Sequence, residues 1–364
     1  MEKIYYALGL MSGTSGDGVD SSIIKSDGKD QILIENNEYN PFPTFLTDEI
    51  HNIKEKIQES GDLVEFKDEI KHLEDELTKF HAEIVNKSIK KNKVDIIGFH
   101  GQTIFHNSDE RISRQIGNGK KLSELTKRLV VFDFRQNDIK NGGEGAPLAP
   151  IYHKALVKKL EKNNKIKVPV TILNIGGISN ITIINQNYEI TSMDIGPGNC
   201  LIDKWLRLNS NKKFDENGCI AKSGKIDKFI LNQSLDTYYN NIVSKKKSLD
   251  VNNFDVSFAR GLSLENGAAT ITEFTADILS KKITNNSVYV CGGGRKNNFL
   301  IERLRNKVKN KIISIDETEI DGDFIESQAF AYLAIRSYLN LPISFPNTTG
   351  CKNPSTGGLI VKNF

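Results

Sequence analysis

The 364-residue chain reads as an α/β protein built from two related lobes. Two strand hairpins with Gly-rich polar tips, one opening each half of the chain, are the first observation behind that reading. A third Gly-rich turn, joining a strand to a helix near residue 290, is the second. The third is the alternation of amphipathic helices with short buried strands around these turns.

The elements follow in order. Residues 4–10 are apolar, 12–18 are dense in Gly, Ser and Thr, and 19–24 resume a strand pattern, which makes a hairpin with a polar tip. Residues 62–90 carry Leu63, Ile70, Leu73, Leu77, Phe80, Ile84 and Ile89 at helical spacing, and a buried strand follows over 94–99. A strand at 129–134 leads into Arg135, Asp138 and the loop 142–147, and residues 151–160 read as a helix. The pattern then begins again. Strand 168–174, the turn Gly176 to Asn180 and strand 181–185 form the second hairpin. Met193-Asp194-Ile195-Gly196-Pro197-Gly198-Asn199 precedes a helix through Trp205, with Asn199 as the expected N-cap. Strand 287–291, Gly292-Gly293-Gly294 and a helix from about Asn297 complete the series. This repetition suggests duplication, with a first lobe at 1–145, completed by 340–364, and a second at 146–339.

Length and composition agree with two domains, since single cores stop growing beyond roughly 250–300 residues. Hydrophobic residues make up 38% and charged residues 26%, and 49 basic against 46 acidic side chains leave a net charge of +3. Lysine runs such as Lys245-Lys246-Lys247 lack interleaved aromatics and read as solvated faces, so no nucleic-acid partner is expected. No apolar run suits a membrane span and the N-terminus lacks the order of a signal peptide. Cys200, Cys219, Cys291 and Cys351 are scattered, without metal-ligand spacing, as in a reduced cytoplasmic protein.

A Gly-rich hairpin tip brings backbone N–H groups close to an anion, because glycine has no Cβ and tolerates positive φ. A P-loop would need G-x-x-x-x-G-K-[ST], which is absent. A dinucleotide fold would place a helix after its first Gly-rich turn, whereas here another strand follows. Two phosphate hairpins and a third Gly turn at the adenosine match duplicated actin-like ATPase (ribonuclease H-like) domains, two lobes around a central nucleotide and sugar cleft. ATP is the expected cofactor, bound by Gly13, Thr14, Ser15, Gly16, Asp17, Gly18, Val19 and Asp20, by Gly176, Gly177, Asn180 and Gly196, and by Gly292, Gly293 and Gly294. Asp17 is the candidate for Mg²⁺, held through water, with a turn-stabilising role as its rival.

The segments LGLMSGTSGDGVD, GFHGQTIFH, DFRQNDIKNGGEGAPLAP, NIGGISNIT, DIGPGNCLID, VCGGGRKNNFL and ESQAFAYLA, in this order from residue 8 to 334, resemble the anhydro-N-acetylmuramic acid kinases of peptidoglycan recycling. The resemblance implies hydrolysis of a 1,6-anhydro ring coupled to phosphorylation of the freed oxygen, giving N-acetylmuramate 6-phosphate and ADP. It also implies Asp194 as general base for water, and a homodimer. A helix-capping role is the structural alternative for Asp194.

Glu326, opening a helical stretch, is a second catalytic candidate, or an ordinary first-turn acid. His100, Gln102 and Thr103 suit sugar hydroxyls or the N-acetyl group, with Asp138, Gly145, Ala146 and Pro147 beside them. Arg135 is the first choice for the lactyl carboxylate, with pairing to Asp138 as its alternative. Gly16 departs from the resembled motif, where leucine is common, and is expected to loosen the turn. Levoglucosan, another 1,6-anhydro sugar, is the competing substrate. A nucleotide-switched sugar-binding protein without turnover is the reading from a different class.

Overall fold

A computed structural model describes residues 3–241, 249, 251, 254–284, 287–309 and 311–364. In chain order the strands and helices are β1 (Tyr5–Ser12), β2 (Gly18–Ser26), β3 (Ile32–Pro41), α1 (Thr44–Lys56), α2 (Asp62–Glu65), α3 (Lys67–Ile89), β4 (Ile96–Asn107), β5 (Ile112–Ile116), α4 (Gly119–Thr126), β6 (Leu129–Phe132), α5 (Gln136–Lys140) and α6 (Pro150–Lys162). They continue with β7 (Val170–Ile175), β8 (Ile178–Ile184), β9 (Ile190–Pro197), α7 (Cys200–Asn209), α8 (Cys219–Ser223), α9 (Lys228–Asn241), α10 (Leu264–Ser280), β10 (Ser287–Cys291), α11 (Asn298–Lys307) and β11 (Lys311–Ser314). Last come α12 (Ile325–Tyr338), α13 (Pro346–Thr349) and β12 (Leu359–Val361).

The chain forms two compact units, Met1–Asn164 with Phe324–Phe364, and Lys165–Asp323. In the first, the sheet order is β12-β6-β4-β1-β2-β3, with β5 paired to the far end of β4. Strands β1, β2 and β3 form an antiparallel meander, while β4 and β6 run parallel to β1. The second sheet has the order β11-β10-β7-β8-β9, with β7, β8 and β9 antiparallel and β10 and β11 parallel to β7. Without β12 and β5 the two sheets have the same order and the same strand directions. This is the ribonuclease H-like topology of the actin-like ATPases, present twice, as the repeated hairpins predicted.

Each sheet carries its own core. Leu8, Leu10, Ile23, Leu46, Ile50, Leu77, Ile97 and Phe99 bury between the first sheet and helices α1 and α3. In the second unit Leu173, Ile175, Ile181, Val288 and Val290 pack with Leu279 of α10 and Leu300 and Leu304 of α11. A further cluster joins α7 to α10, where Trp205 lies so close over Gly267 that a Cβ there would fall 2.1 Å from its ring. Among the described residues no helix is long and apolar enough to cross a membrane.

The unit boundaries lie at 164/165 and 323/324, against the sequence expectation of 145/146 and 339/340. Helices α6 and α12 therefore belong to the first unit. The physical reason for α12 is a pair of mid-strand glycines. A Cβ on Gly9 of β1 would lie 1.9 Å from the Ser327 carbonyl oxygen, and one on Gly98 of β4 would lie 2.2 Å from that of Phe330. Only bare backbone lets the helix settle this close to the sheet. Helix α6 is tied to α12 by the Tyr152 hydroxyl, which donates to Gln328 Oε1 at 2.6 Å.

Candidate active site

In the first unit the β1–β2 tip runs from Gly13 to Asp17, closed by a Gly16 N–H bond to the Gly13 carbonyl at 3.2 Å. Thr14, Ser15 and Asp17 are exposed and Gly13 is half-buried, while Gly16 is buried. Gly16 adopts φ +66°, and a Cβ on it would lie 2.8 Å from Ile50 of α1. The expectation of a loosened turn is therefore corrected: the side chain of Ile50 occupies the space a larger residue would need, and the left-handed backbone favours glycine. Helix α1 further pins the tip, with His51 Nε2 donating to the Ser15 carbonyl at 2.7 Å and Lys54 Nζ to that of Thr14 at 2.5 Å. Sequence reading missed both residues. Their spacing of three on one helix face was the available signal.

Asp17 is exposed and accepts the Ser15 hydroxyl on Oδ1 at 2.7 Å, while its Oδ2 accepts nothing among the described residues. Burial, together with the charges of Asp17 and Asp20, pushes the Tyr39 hydroxyl up to about 12. Gly18 lies against Tyr39 and Val19 is buried, so these two build the hairpin root; Asp20 is half-buried.

Gln102 was expected at the sugar. Its amide is instead fully buried and spent at the root of the tip, accepting from Ser12 Oγ at 2.5 Å and donating to the carbonyls of Gly13 at 3.0 Å and Thr103 at 3.1 Å. Thr103 Oγ1 accepts from Gln115 at 3.2 Å. His100 is buried with Nδ1 at 2.8 Å from the Gly101 carbonyl, which can only accept, so the proton sits on Nδ1. Nε2 then carries the lone pair and accepts from Arg135, from Nη2 at 2.9 Å and Nε at 3.3 Å. Burial, reinforced by the Arg135 charge, holds His100 well below its ordinary range. A neutral imidazole acts here as a rest for a guanidinium.

Arg135 Nη1 also donates to the Gly145 carbonyl at 2.7 Å. Asp138 is buried and takes the Gly145 N–H at 2.8 Å and the Thr349 hydroxyl at 2.6 Å. Its carboxylate therefore holds the loop of Gly145, Ala146 and Pro147 in place, and Gly143 fits only because a Cβ would fall 2.2 Å from Asp138 Oδ2. The Ala146-Pro147 bond is cis. Glu326 stands half-buried in the first turn of α12, beside Ser327, whose hydroxyl bonds that of Ser22 at 2.6 Å.

The second unit brings its own predicted residues together. Asn174, Asn180 and Asp194 are lateral partners across β7, β8 and β9, so they form one row on the sheet. Asp194 is half-buried in β9, which runs on to Pro197, and its Oδ2 accepts the Leu249 N–H at 2.7 Å. The helix-capping alternative for Asp194 is thereby removed. Asn199 does occupy the N-cap position of α7, but without a side-chain cap bond. The carbonyls of Gly176 and Gly177 take over, accepting from Asn199 at 2.8 Å and from Gly198 at 2.8 Å and Cys200 at 3.2 Å.

The Gly292 turn joins the same region. A Cβ on Gly292 would lie 2.3 Å from Asn174 Oδ1, one on Gly294 would lie 2.1 Å from Ile175, and one on Gly293 would face Asn199 at 3.9 Å. Gly196, at φ +152°, lies against Ile278 of α10. The turn is locked by Arg295, a residue that sequence reading passed over. Its guanidinium donates to the Gly292 carbonyl at 3.1 Å and to Asp316 and Asp323 at 2.8 and 2.5 Å. Asp316 in turn accepts the Gly322 N–H, and Gly322 accepts that of Gly292.

The family described as anhydro-N-acetylmuramic acid kinase matches residues 5–363. The anhydro-N-acetylmuramic acid kinase of Pelagibacter ubique is 50% identical, covering 100% of both chains. That of Agrobacterium fabrum is 35% identical over 100% of both, and that of Rhizobium etli 36% over 99% of both. With the family match running from residue 5 to 363 and full-length relatives at 50% and 35% identity, the chain belongs to the anhydro-N-acetylmuramic acid kinase family.

Proposed function

We propose that the protein is a kinase of peptidoglycan recycling that transfers the γ-phosphoryl of ATP to O6 of 1,6-anhydro-N-acetylmuramic acid while water opens the anhydro bridge. Water attacks C1 and gives its proton to Asp194, the C1–O6 bond breaks, and O6 takes the phosphoryl group, leaving N-acetylmuramate 6-phosphate and ADP. The observation that carries this reading is the row of Asn174, Asn180 and Asp194 beside two Gly-rich turns in one unit of a chain with full-length family membership.

The tip from Gly13 to Asp20 would take the phosphates of ATP in the first unit, and Gly176, Gly177, Asn180 and Gly196 would take them in the second. Gly292 to Gly294 would face the adenosine. Mg²⁺ carried by ATP neutralises charge on the phosphates. Three clustered His, Cys, Asp or Glu ligands are absent among the described residues, and a magnesium ion that keeps its phosphates and waters needs only one carboxylate. Asp17 would supply it through water. Arg135, steadied by His100 and Gly145, would meet the lactyl carboxylate, with Thr103, Ala146 and Pro147 nearby and Glu326 at the sugar.

The test is ADP release with 1,6-anhydro-N-acetylmuramic acid and, separately, levoglucosan. Wild-type protein should turn over the first, and Asp194→Asn should bind ATP normally while losing several orders of magnitude in kcat, as expected for a missing general base. Turnover of levoglucosan alone would overturn the substrate. ATP hydrolysis indifferent to sugar would overturn the kinase reading.

A further inference from the structure

The first unit contains a pocket of about 250 Å³, none of whose lining residues belongs to the proposed active site. Lys29 and Asp30 come from the β2–β3 turn, Lys154 and Lys158 from successive turns of α6, and Tyr332 and Arg336 from successive turns of α12. Residues four apart on a helix share a face, so each helix presents a matched pair to the same space. The lining thus carries four cations and one carboxylate. Asp30 is engaged by Lys158 Nζ at 2.8 Å. The neighbouring Asp27 spends Oδ1 on the N–H groups of Lys29 and Gln31.

Arg336 is the informative residue. It is only 8% exposed, yet among the described residues no carboxylate pairs with it. Nε donates to the Pro342 carbonyl at 2.8 Å, and Nη1 to the Gly28 carbonyl at 2.8 Å and the Tyr332 hydroxyl at 3.5 Å. These bonds fix the guanidinium plane, and the Tyr332 ring lies 5.7 Å from it. Nη2 donates to nothing among the described residues. A purely structural arginine that ties two loops to α12 explains Nε and Nη1. It does not explain the idle terminal nitrogen.

A buried cation without a counter-ion is costly, and an anion arriving in such a site gains a charge-assisted bond at low dielectric. We propose that this pocket is a second ligand site, for a phosphate monoester of about the size of a sugar phosphate, with its phosphoryl group on Arg336 Nη2 and the α6 lysines. A dianion matches the positive charge balance of the lining, and the volume falls below the roughly 300 Å³ at which drug-sized pockets begin. Free phosphate shares the anionic chemistry, so the two sources are separated by experiment.

Crystals of the full chain soaked in tungstate, a heavy phosphate analogue, are expected to show an anomalous peak within hydrogen-bond reach of Arg336 Nη2. Calorimetry with glucose 6-phosphate is expected to show binding that persists when ADP and Mg²⁺ saturate the protein. Lys154→Ala combined with Lys158→Ala should weaken that binding at least tenfold, with Tm and the KM for ATP unchanged. Lys29→Ala, on an exposed turn, gives an independent reading if the double variant folds poorly. Tighter binding of glucose 6-phosphate than of inorganic phosphate supports the ester. Equal affinity overturns it in favour of the bare ion. Absence of the tungstate peak, complete competition by ADP, or undiminished affinity in both variants overturns the site.

Discussion

The side-chain nitrogen of Gln102 donates to the Gly13 carbonyl at 3.0 Å while its oxygen accepts the Ser12 hydroxyl at 2.5 Å, so a buried residue of β4 holds the root of the Gly-rich tip that follows β1. Gln102→Leu keeps the volume and removes these two bonds and the one to the Thr103 carbonyl. The Gly13 carbonyl keeps the Gly16 N–H, but the buried Ser12 hydroxyl loses its acceptor, which costs about 1–3 kcal/mol. The variant should unfold at lower urea and bind ATP about tenfold more weakly, a change worth about 1.4 kcal/mol. If stability falls while ATP affinity stays at the wild-type value, Gln102 does not position the turn.

His81 of α3 predicts how stability responds to acid. It is fully buried among Phe42, Phe80 and Phe99, donates from Nδ1 to the Leu77 carbonyl at 2.7 Å, and has no partner on Nε2. Burial lowers its pKa to about 4 from an ordinary 6.5. The folded state therefore keeps the neutral ring, whereas the unfolded chain takes up a proton below about 6.5. The stability held above that pH is lost as pH falls toward 4, by about 3 kcal/mol from this residue. His81→Phe should flatten the decline of urea midpoint between pH 6.5 and 4; an unchanged slope would place the acid sensitivity elsewhere.

Much of this fold is legible in the sequence because it lies in local patterns. The tips at Gly13 and Gly176 and the turn at Gly292 stand out beside apolar strands, and their order repeats. What escapes is set by contacts far apart in the chain. Helix α12 follows the whole second unit, yet returns to the first sheet through Gly9 and Gly98, whose lone hydrogens give no sign of what they admit. Gln102 and Asp138 looked available for a sugar because their residue types allow it. Only the buried partners Ser12, Gly13, Gly145 and Thr349 show that their polar atoms are already committed. Proton placement on His100 likewise depends on the direction of the Gly101 carbonyl.

Arg295 should matter to nucleotide binding although it lies beneath the Gly292 turn. Its fork bonds Gly292, Asp316 and Asp323 simultaneously, and a lysine offers the charge without the fork. Arg295→Lys should raise the KM for ATP about tenfold with kcat nearly unchanged, and should leave the binding of inorganic tripolyphosphate as it was, because the turn is assigned to the adenosine. A parallel loss for tripolyphosphate would mean that Arg295 supports the whole unit and not this turn.

Gly16 offers the sharpest test of how the phosphate tip is built, because backbone and packing make separable demands there. At φ +66° any residue with a Cβ pays roughly 1–2 kcal/mol for the left-handed conformation. The Cβ would also lie 2.8 Å from the Ile50 side chain, so the leucine common in the resembled motif must displace that side chain, α1 or the tip to enter. Gly16→Leu should therefore weaken ATP binding by at least tenfold. In an Ile50→Ala background the steric part disappears while the backbone part remains, so the same substitution should cost measurably less there, and the double-mutant cycle should give a coupling of about 1 kcal/mol. Additive effects would show that Ile50 does not shape the tip, and an ATP affinity improved by Gly16→Leu alone would restore the view that glycine loosens it.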